Sequence, residues 1–144
     1  MNIRNATYRD APSIKLLLAT LGYKTTTILL IPQLEKLFDG KDNQVWVYEV
    51  DKEVRGFIAV HFLPQLGFDG ELVTISYLAV DETHQGQGIG KALEEYVAAA
   101  AWKRKCDRIQ VHCSDWRTKA NRFYQKQGYR EYPKYYSKRL VYAE

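Results

Sequence analysis

Cysteine is scarce in this chain of 144 residues: Cys106 and Cys113 are the only two. So few, so spaced, exclude the disulfide framework of small secreted domains. Even with His112 they fall short of the ligand set that zinc needs. Both therefore read as buried or half-buried residues beside a strand, and no metal is expected. Long apolar runs are missing too, since none approaches the ~20 residues of a membrane span. The first residues, MNIRNATYRD, lack the apolar stretch of a signal peptide. A cytoplasmic protein without a membrane partner is expected. Internal repeats, low-complexity tracts and linkers are also absent, so residues 1–144 read as a single domain.

Charge of both signs is present in ordinary amount. Hydrophobic residues make up 46% and charged residues 26%, which matches a soluble globular protein. The net charge of +4 raises nucleic-acid binding as a function, but Lys and Arg are scattered. The one compact run, Lys103-Arg104-Lys105, closes a helix, where cations suit the dipole, and reads as a solvated helix end. No nucleic-acid partner is expected, and the excess positive charge suits an anionic cofactor.

Residues 2–6 read as a first strand. A helix follows with Ala11, Ile14, Leu17, Leu18 and Leu21 on one face, Asp10 as its cap and Gly22 past its end. Residues 28–38 carry Leu30, Leu34, Leu37 and Phe38 at helical spacing, with Pro32 blurring the start. Residues 44–50 and 54–62 form a strand pair around the tight connector Asp51-Lys52-Glu53. The loop 63–70, with Pro64, Gly67 and Gly70, is expected to allow movement. A strand over 72–80 leads through a glycine-rich turn into a helix reaching about Lys105, then a strand over 108–113. That unit predicts a parallel crossover. Ser114 or Asp115 is expected to cap a helix over 118–127, stopped by Gly128, and residues 129–132 and 135–142 to close the sheet. The predicted class is mixed α/β, a central mixed sheet in the order β-α-α-β-β-β-α-β-α-β-β.

The chemistry centres on the turn. Gly86, Gly88 and Gly90 alternate with Gln87 and Ile89 between a strand's end and a helix's start. Glycines there let backbone approach a ligand, and the first helical N–H groups with the helix dipole suit a phosphate. A P-loop needs four residues before its Gly-Lys-Ser/Thr; here three separate Gly86 from Gly90, and Ala92 follows Lys91. A dinucleotide fingerprint reads Gly-x-Gly-x-x-Gly, and these glycines are spaced by two. Gln85-x-x-Gly88-x-Gly90 instead resembles the coenzyme A pyrophosphate loop of the GNAT superfamily of N-acetyltransferases. A second segment resembles that family's later motif: Ala120-Asn121 before Phe123-Tyr124, with Gly128-Tyr129 four residues on. The order of elements is also the GNAT order, so the resemblance spans almost the whole chain.

The resemblance implies acetyl transfer from acetyl-CoA, as cosubstrate, to a primary amine. It implies that backbone N–H groups of Gly86, Gln87, Gly88, Ile89, Gly90 and Lys91 hold the pyrophosphate, with Gln85 adding a side-chain contact. Leu78, Ala79 and Val80 would pair with the pantetheine in a gap between splayed strands, because an intact ladder leaves no free backbone group. Asn121 would contact the cofactor arm. Tyr124, three residues on and thus on the same helical face, is the candidate general acid for the departing thiolate. The proton acceptor stays open between Glu71, His61, Asp69 and a water chain through backbone carbonyls and Ser76. Some family members place a Glu on the central strand, where this chain reads Thr74-Ile75-Ser76.

Neither cysteine falls where an acyl-enzyme nucleophile would sit, so direct transfer is expected. The alternative is a catalytically silent module that binds or senses CoA. The acceptor is undetermined: Glu35, Asp39, Asp69 and Glu71 would welcome a cation, Arg55 or Lys24 a carboxylate. A small-molecule amine, a peptide N-terminus and a lysine all remain, and a homodimer is an open option.

Overall fold

The computed structural model describes residues 2–142, as two compact units that meet at His112 and Cys113. The first unit holds a five-stranded sheet in sequence order. Its strands are β1 (Ile3–Asn5), β2 (Asn43–Val50), β3 (Glu53–Leu63), β4 (Leu72–Val80) and β5 (Arg108–Val111). The first four pair antiparallel, and β4 pairs parallel with β5. Three helices belong to this unit: α1 (Ala11–Thr20), α2 (Thr27–Phe38) and α3 (Ile89–Lys103). The predicted mixed α/β class therefore holds. Among the described residues no helix is long and apolar enough to cross a membrane.

Alternation along the strands sorts the core into two faces. Val45, Val47, Phe57, Ala59 and Ala79 cluster with Ala11, Ile14, Leu17, Leu30 and Leu34 of α1 and α2. The intervening positions turn to α3. Trp46 meets Tyr96 edge-on at 5.0 Å, and a Cβ on Gly56 would lie 2.8 Å from Ile89 Cγ2. Phe57, Ile58 and Leu93 are among the largest fully buried side chains, each worth about 1.5–3 kcal/mol relative to exposure.

Local signals account for most boundaries. Asp51 and Lys52 both take positive φ, 52° and 68°, as a two-residue hairpin turn demands. Pro32 lies inside α2, whose start is secured by Thr26 Oγ1 accepting from Leu29 N–H at 3.2 Å. Asp10 precedes α1 as expected but does not cap it. Its carboxylate turns back to Thr7 N–H (2.7 Å) and takes both terminal nitrogens of Arg4 (2.8 Å each). Arg104, expected at a solvated helix end, donates to Glu71 Oε1 (2.6 Å) and Asp42 Oδ1 (2.7 Å) and lies 4.3 Å over the Phe62 ring. Gly70 is packed rather than loose: a Cβ there would fall 2.5 Å from the Lys105 carbonyl oxygen.

The second unit contains α4 (Thr118–Lys126), with Arg117 rather than Ser114 or Asp115 at its N-cap. The two closing strands are not formed, as residues 129–142 carry no ladder. A strand requires a partner edge, which an alternating pattern cannot supply by itself. Tyr132, Tyr135, Tyr136 and Tyr142 are 60–91% exposed, so little burial offsets the entropy of ordering this segment.

Two stability predictions follow from these contacts. Gly70→Ala forces a methyl onto backbone and should cost about 1–3 kcal/mol in denaturant unfolding. Burial pushes the Asp10 carboxyl up, but the bonds from Arg4 and Thr7 outweigh it and hold it below the ordinary value of 3.8. Its contribution is thus complete above the unfolded carboxyl's pKa and lost as pH falls through the lower folded value. Asp10→Asn should flatten that acid limb in a pH series of melting curves.

Candidate functional site

The site begins where β4 leaves β5. Their ladder runs from Leu72↔Arg108 to Ile75↔Val111, where β5 ends, while β4 continues to Val80. Ser76, Tyr77, Leu78, Ala79 and Val80 thus lie beyond the parallel ladder. On the other edge β4 stays paired with β3, from Ala59↔Tyr77 to Gly56↔Val80. Ile75 pairs with Val60 and Tyr77 with Ala59, so Ser76 is an extra residue, a β-bulge at the point where the ladder to β5 stops. Nothing in the Thr74-Ile75-Ser76 stretch announces a bulge, because it is a property of the strand pair.

Asp81 controls the exit from β4. Its N–H donates to Arg55 O at 2.7 Å, and its carbonyl accepts His84 N–H at 2.9 Å. Its carboxylate Oδ2 accepts Thr83 Oγ1–H at 2.6 Å and sits 2.9 Å from His84 Nδ1. These hydrogen bonds, Thr83's first, lower the carboxyl's pKa. An Asp followed two residues later by Thr is a turn signal legible in sequence. Gln85 then sends its side-chain amide back to Val80 O at 3.3 Å, so that side chain faces the strand end.

Gly86 and Gly88 both take left-handed conformations, φ 79° and 83°. An added Cβ on either would meet nothing within 4 Å. Gly88 is the N-cap of α3 and offers no side chain to cap it. The first bond of the helix runs from Ala92 N–H to Gly88 O at 2.9 Å, so the N–H groups of Ile89, Gly90 and Lys91 precede the ladder. Ile89 buries its side chain in the core and can offer a ligand backbone alone. Gln87 is exposed, and Lys91 Nζ lies 3.8 Å from Glu95 Oε1. Gly90 sits within α3 and does not take positive φ, so its glycine is not set by conformation.

In the second unit, Asn121 Nδ2 donates to Ser114 O (2.9 Å) and Arg117 O (2.8 Å). The Tyr124 ring packs edge-on between Phe123 (5.3 Å) and Tyr129 (5.6 Å). Among the proton-acceptor candidates, Glu71 has both oxygens bonded by Arg104, and Asp69 is exposed on its loop. His61 is half-buried and joins Asn43 and Ser76 by hydrogen bonds. Among the described residues no group of three or more His, Cys, Asp or Glu could hold a metal ion.

The family model described as "Acetyltransferase (GNAT) family" matches residues 13–129. The chain belongs to the GNAT acetyltransferase family. It is an acyltransferase of that type, a family whose cosubstrate is acetyl-CoA. Solved structures show the same fold. A transcriptional regulator from Bacillus halodurans C-125 is 24% identical, with a TM-score of 0.89, over 96% of this chain and 98% of its own. An aminoglycoside acetyltransferase from an uncultured soil metagenomic sample is 23% identical with a TM-score of 0.82, over 96% and 95%. Glucosamine-6-phosphate N-acetyltransferase from Arabidopsis thaliana is 20% identical with a TM-score of 0.82, over 96% and 97%. No curated protein matches the chain.

The geometry separates Gly88 from Gly90 in this GNAT loop. Gly88→Ala puts a side chain on a left-handed residue and should cost about 1–2 kcal/mol. Gly90→Ala carries no such backbone penalty. Paired unfolding curves of the two variants check the difference.

Proposed function

We propose that this GNAT protein transfers the acetyl group of acetyl-CoA directly to a primary amine of a small molecule or peptide, with residues 1–144 acting as one domain. The observation that carries the reading is the pair Gly86 and Gly88, left-handed and opening on free space just ahead of the unladdered N–H groups of α3. A pyrophosphate needs that arrangement: backbone donors in a row and no Cβ in the way. The early end of the β4–β5 ladder supports the second part of the assignment. Leu78, Ala79 and Val80 are the residues given to the pantetheine amides.

Acetyl-CoA, when bound, supplies the acyl group as a thioester. The chain's own groups do the rest. Backbone N–H groups of Gly86 through Lys91 hold the diphosphate, with Gln85 able to join once its amide leaves Val80 O. Asn121 has committed both amide hydrogens to Ser114 and Arg117, so its oxygen is the atom assigned to the cofactor arm. Tyr124 is assigned the general acid: its phenol O–H is a donor that can pass a proton to the leaving thiolate. Enzymes of this fold are named for small-molecule acceptors and for a ribosomal-protein alanine, which agrees with the proposed range of small-molecule and peptide amines. A cytoplasmic location is part of the same reading.

An amine panel with acetyl-CoA, read by release of free CoA thiol, tests the activity. Acetyl-CoA at ~100 times its dissociation constant should add about 2.7 kcal/mol of stability. Tyr124→Phe should lower turnover roughly 10²–10⁴-fold, while cofactor affinity moves by no more than one hydrogen bond, about 0.5–1.5 kcal/mol. Full turnover in well-folded Tyr124→Phe would remove Tyr124 from the mechanism.

A further inference from the structure

The bulge at Ser76 carries a hydrogen-bonded chain that the loop and Tyr124 do not use. Ser76 Oγ lies 2.9 Å from His61 Nε2, and His61 Nδ1 lies 2.7 Å from Asn43 Oδ1. Ser76 Oγ is also 3.2 Å from Ala59 O. All three residues sit on one sheet face at the same end, since Asn43 and Thr74 are the cross-strand partners of His61 on either side. Ser76 is exposed, whereas His61 and Asn43 are half-buried. We infer that Ser76 and His61 form the relay that takes the proton from the acceptor amine during acetyl transfer, with Asn43 holding the imidazole in the required tautomer. The inference rests on the acetyl-transfer reading above and supplies its proton acceptor.

The geometry serves both protonation states. Asn43 Oδ1 is an acceptor only, so Nδ1 carries the hydrogen and Nε2 keeps its lone pair. In the neutral state Ser76 O–H donates to Nε2. In the charged state Nε2–H donates to Ser76 Oγ, and the hydroxyl hydrogen turns to Ala59 O. Both ring nitrogens of His61 keep a partner in either state, so the proton moves without leaving the half-buried imidazole unpaired. As the amine nitrogen bonds to the acyl carbon, its N–H becomes acidic. That proton passes to Ser76 Oγ while the serine's own hydrogen passes to Nε2. The C–S bond breaks, and sulfur leaves with its electron pair to take a proton from the general acid. His61 returns its proton to water, and the general acid regains one from water.

Neutral imidazole is needed at the start, and the surroundings favour it. The hydrogen-bond and cross-strand partners of His61 are Asn43 on β2 and Thr74 and Ser76 on β4, none of them charged. Burial alone lowers the His61 pKa below 6.5. The nearby carboxylates Asp42 and Glu71 are held by Arg104. The relay is thus ready at neutral pH and fails as pH drops through the lowered value.

The test uses the full chain and an amine that wild type acetylates. His61→Gln should lower turnover roughly 10²–10⁴-fold and erase the rate inflection below pH 6.5, with acetyl-CoA affinity by calorimetry unchanged. Ser76→Ala, at an exposed position that cannot unfold the core, should lower turnover in the same direction. Nitrogen-15 NMR of His61 in the ligand-free protein should show hydrogen on Nδ1 and a bare Nε2 at neutral pH. Wild-type turnover with the same acid limb in His61→Gln, or hydrogen on Nε2 at neutral pH, would overturn the relay. Acetyl-CoA binding without transfer to any amine would instead overturn the acetyl-transfer reading, and the relay with it.

Discussion

One constraint governs the molecule: β4 must be fully paired on one edge and unpaired at the end of the other. Buried backbone groups need partners, and β3 meets that demand along β4's length. β5 meets it only as far as Ile75. The bulge at Ser76 is where the two requirements part. By adding one residue there, β4 keeps its pairing with β3 while its outer edge is freed. The same bulge turns a serine to solvent beside His61. The opening and the Ser76–His61 contact are thus consequences of a single departure from regular pairing.

The freed edge needs rigid surroundings. Asp81 binds the turn at its end through Thr83 and His84 and, by its N–H, to β3. Gly56 lets Ile89 and Leu93 press α3 against the sheet. At the opposite end, Arg104 ties α3's exit to Glu71 and Asp42. Surface ion pairs are individually worth little, but Arg104 joins three separate parts of the chain at once and lies on an aromatic ring. The loop's geometry is therefore held from both ends of the helix that follows it.

Much of this was legible in sequence. β4 lies where predicted, because its apolar run is bounded by Gly70 and Asp81. The alternation Gly86, Gly88, Gly90 located the loop, since the first two glycines mark a left-handed backbone there. Non-local features were hidden. Arg104 reads as a helix-end cation until Asp42, distant in sequence, meets it in the fold. The bulge depends on β3's register. The closing tyrosines have a strand's period, but a period contains no information about a partner edge. Asn121 shows the same limit, since a motif position gives a candidate contact and not the local carbonyls that claim its amide first.

The central claim is that the loop from Gly86 to Lys91, with the unladdered end of β4, receives acetyl-CoA. Amide NMR of the nitrogen-15-labelled protein during an acetyl-CoA titration tests it most directly, because it reads each backbone N–H by itself. The account predicts saturable shifts, largest at Gly86, Gly88, Ile89, Gly90 and Lys91 and present at Leu78, Ala79 and Val80. Saturation that leaves those amides unmoved, with shifts elsewhere, would contradict it.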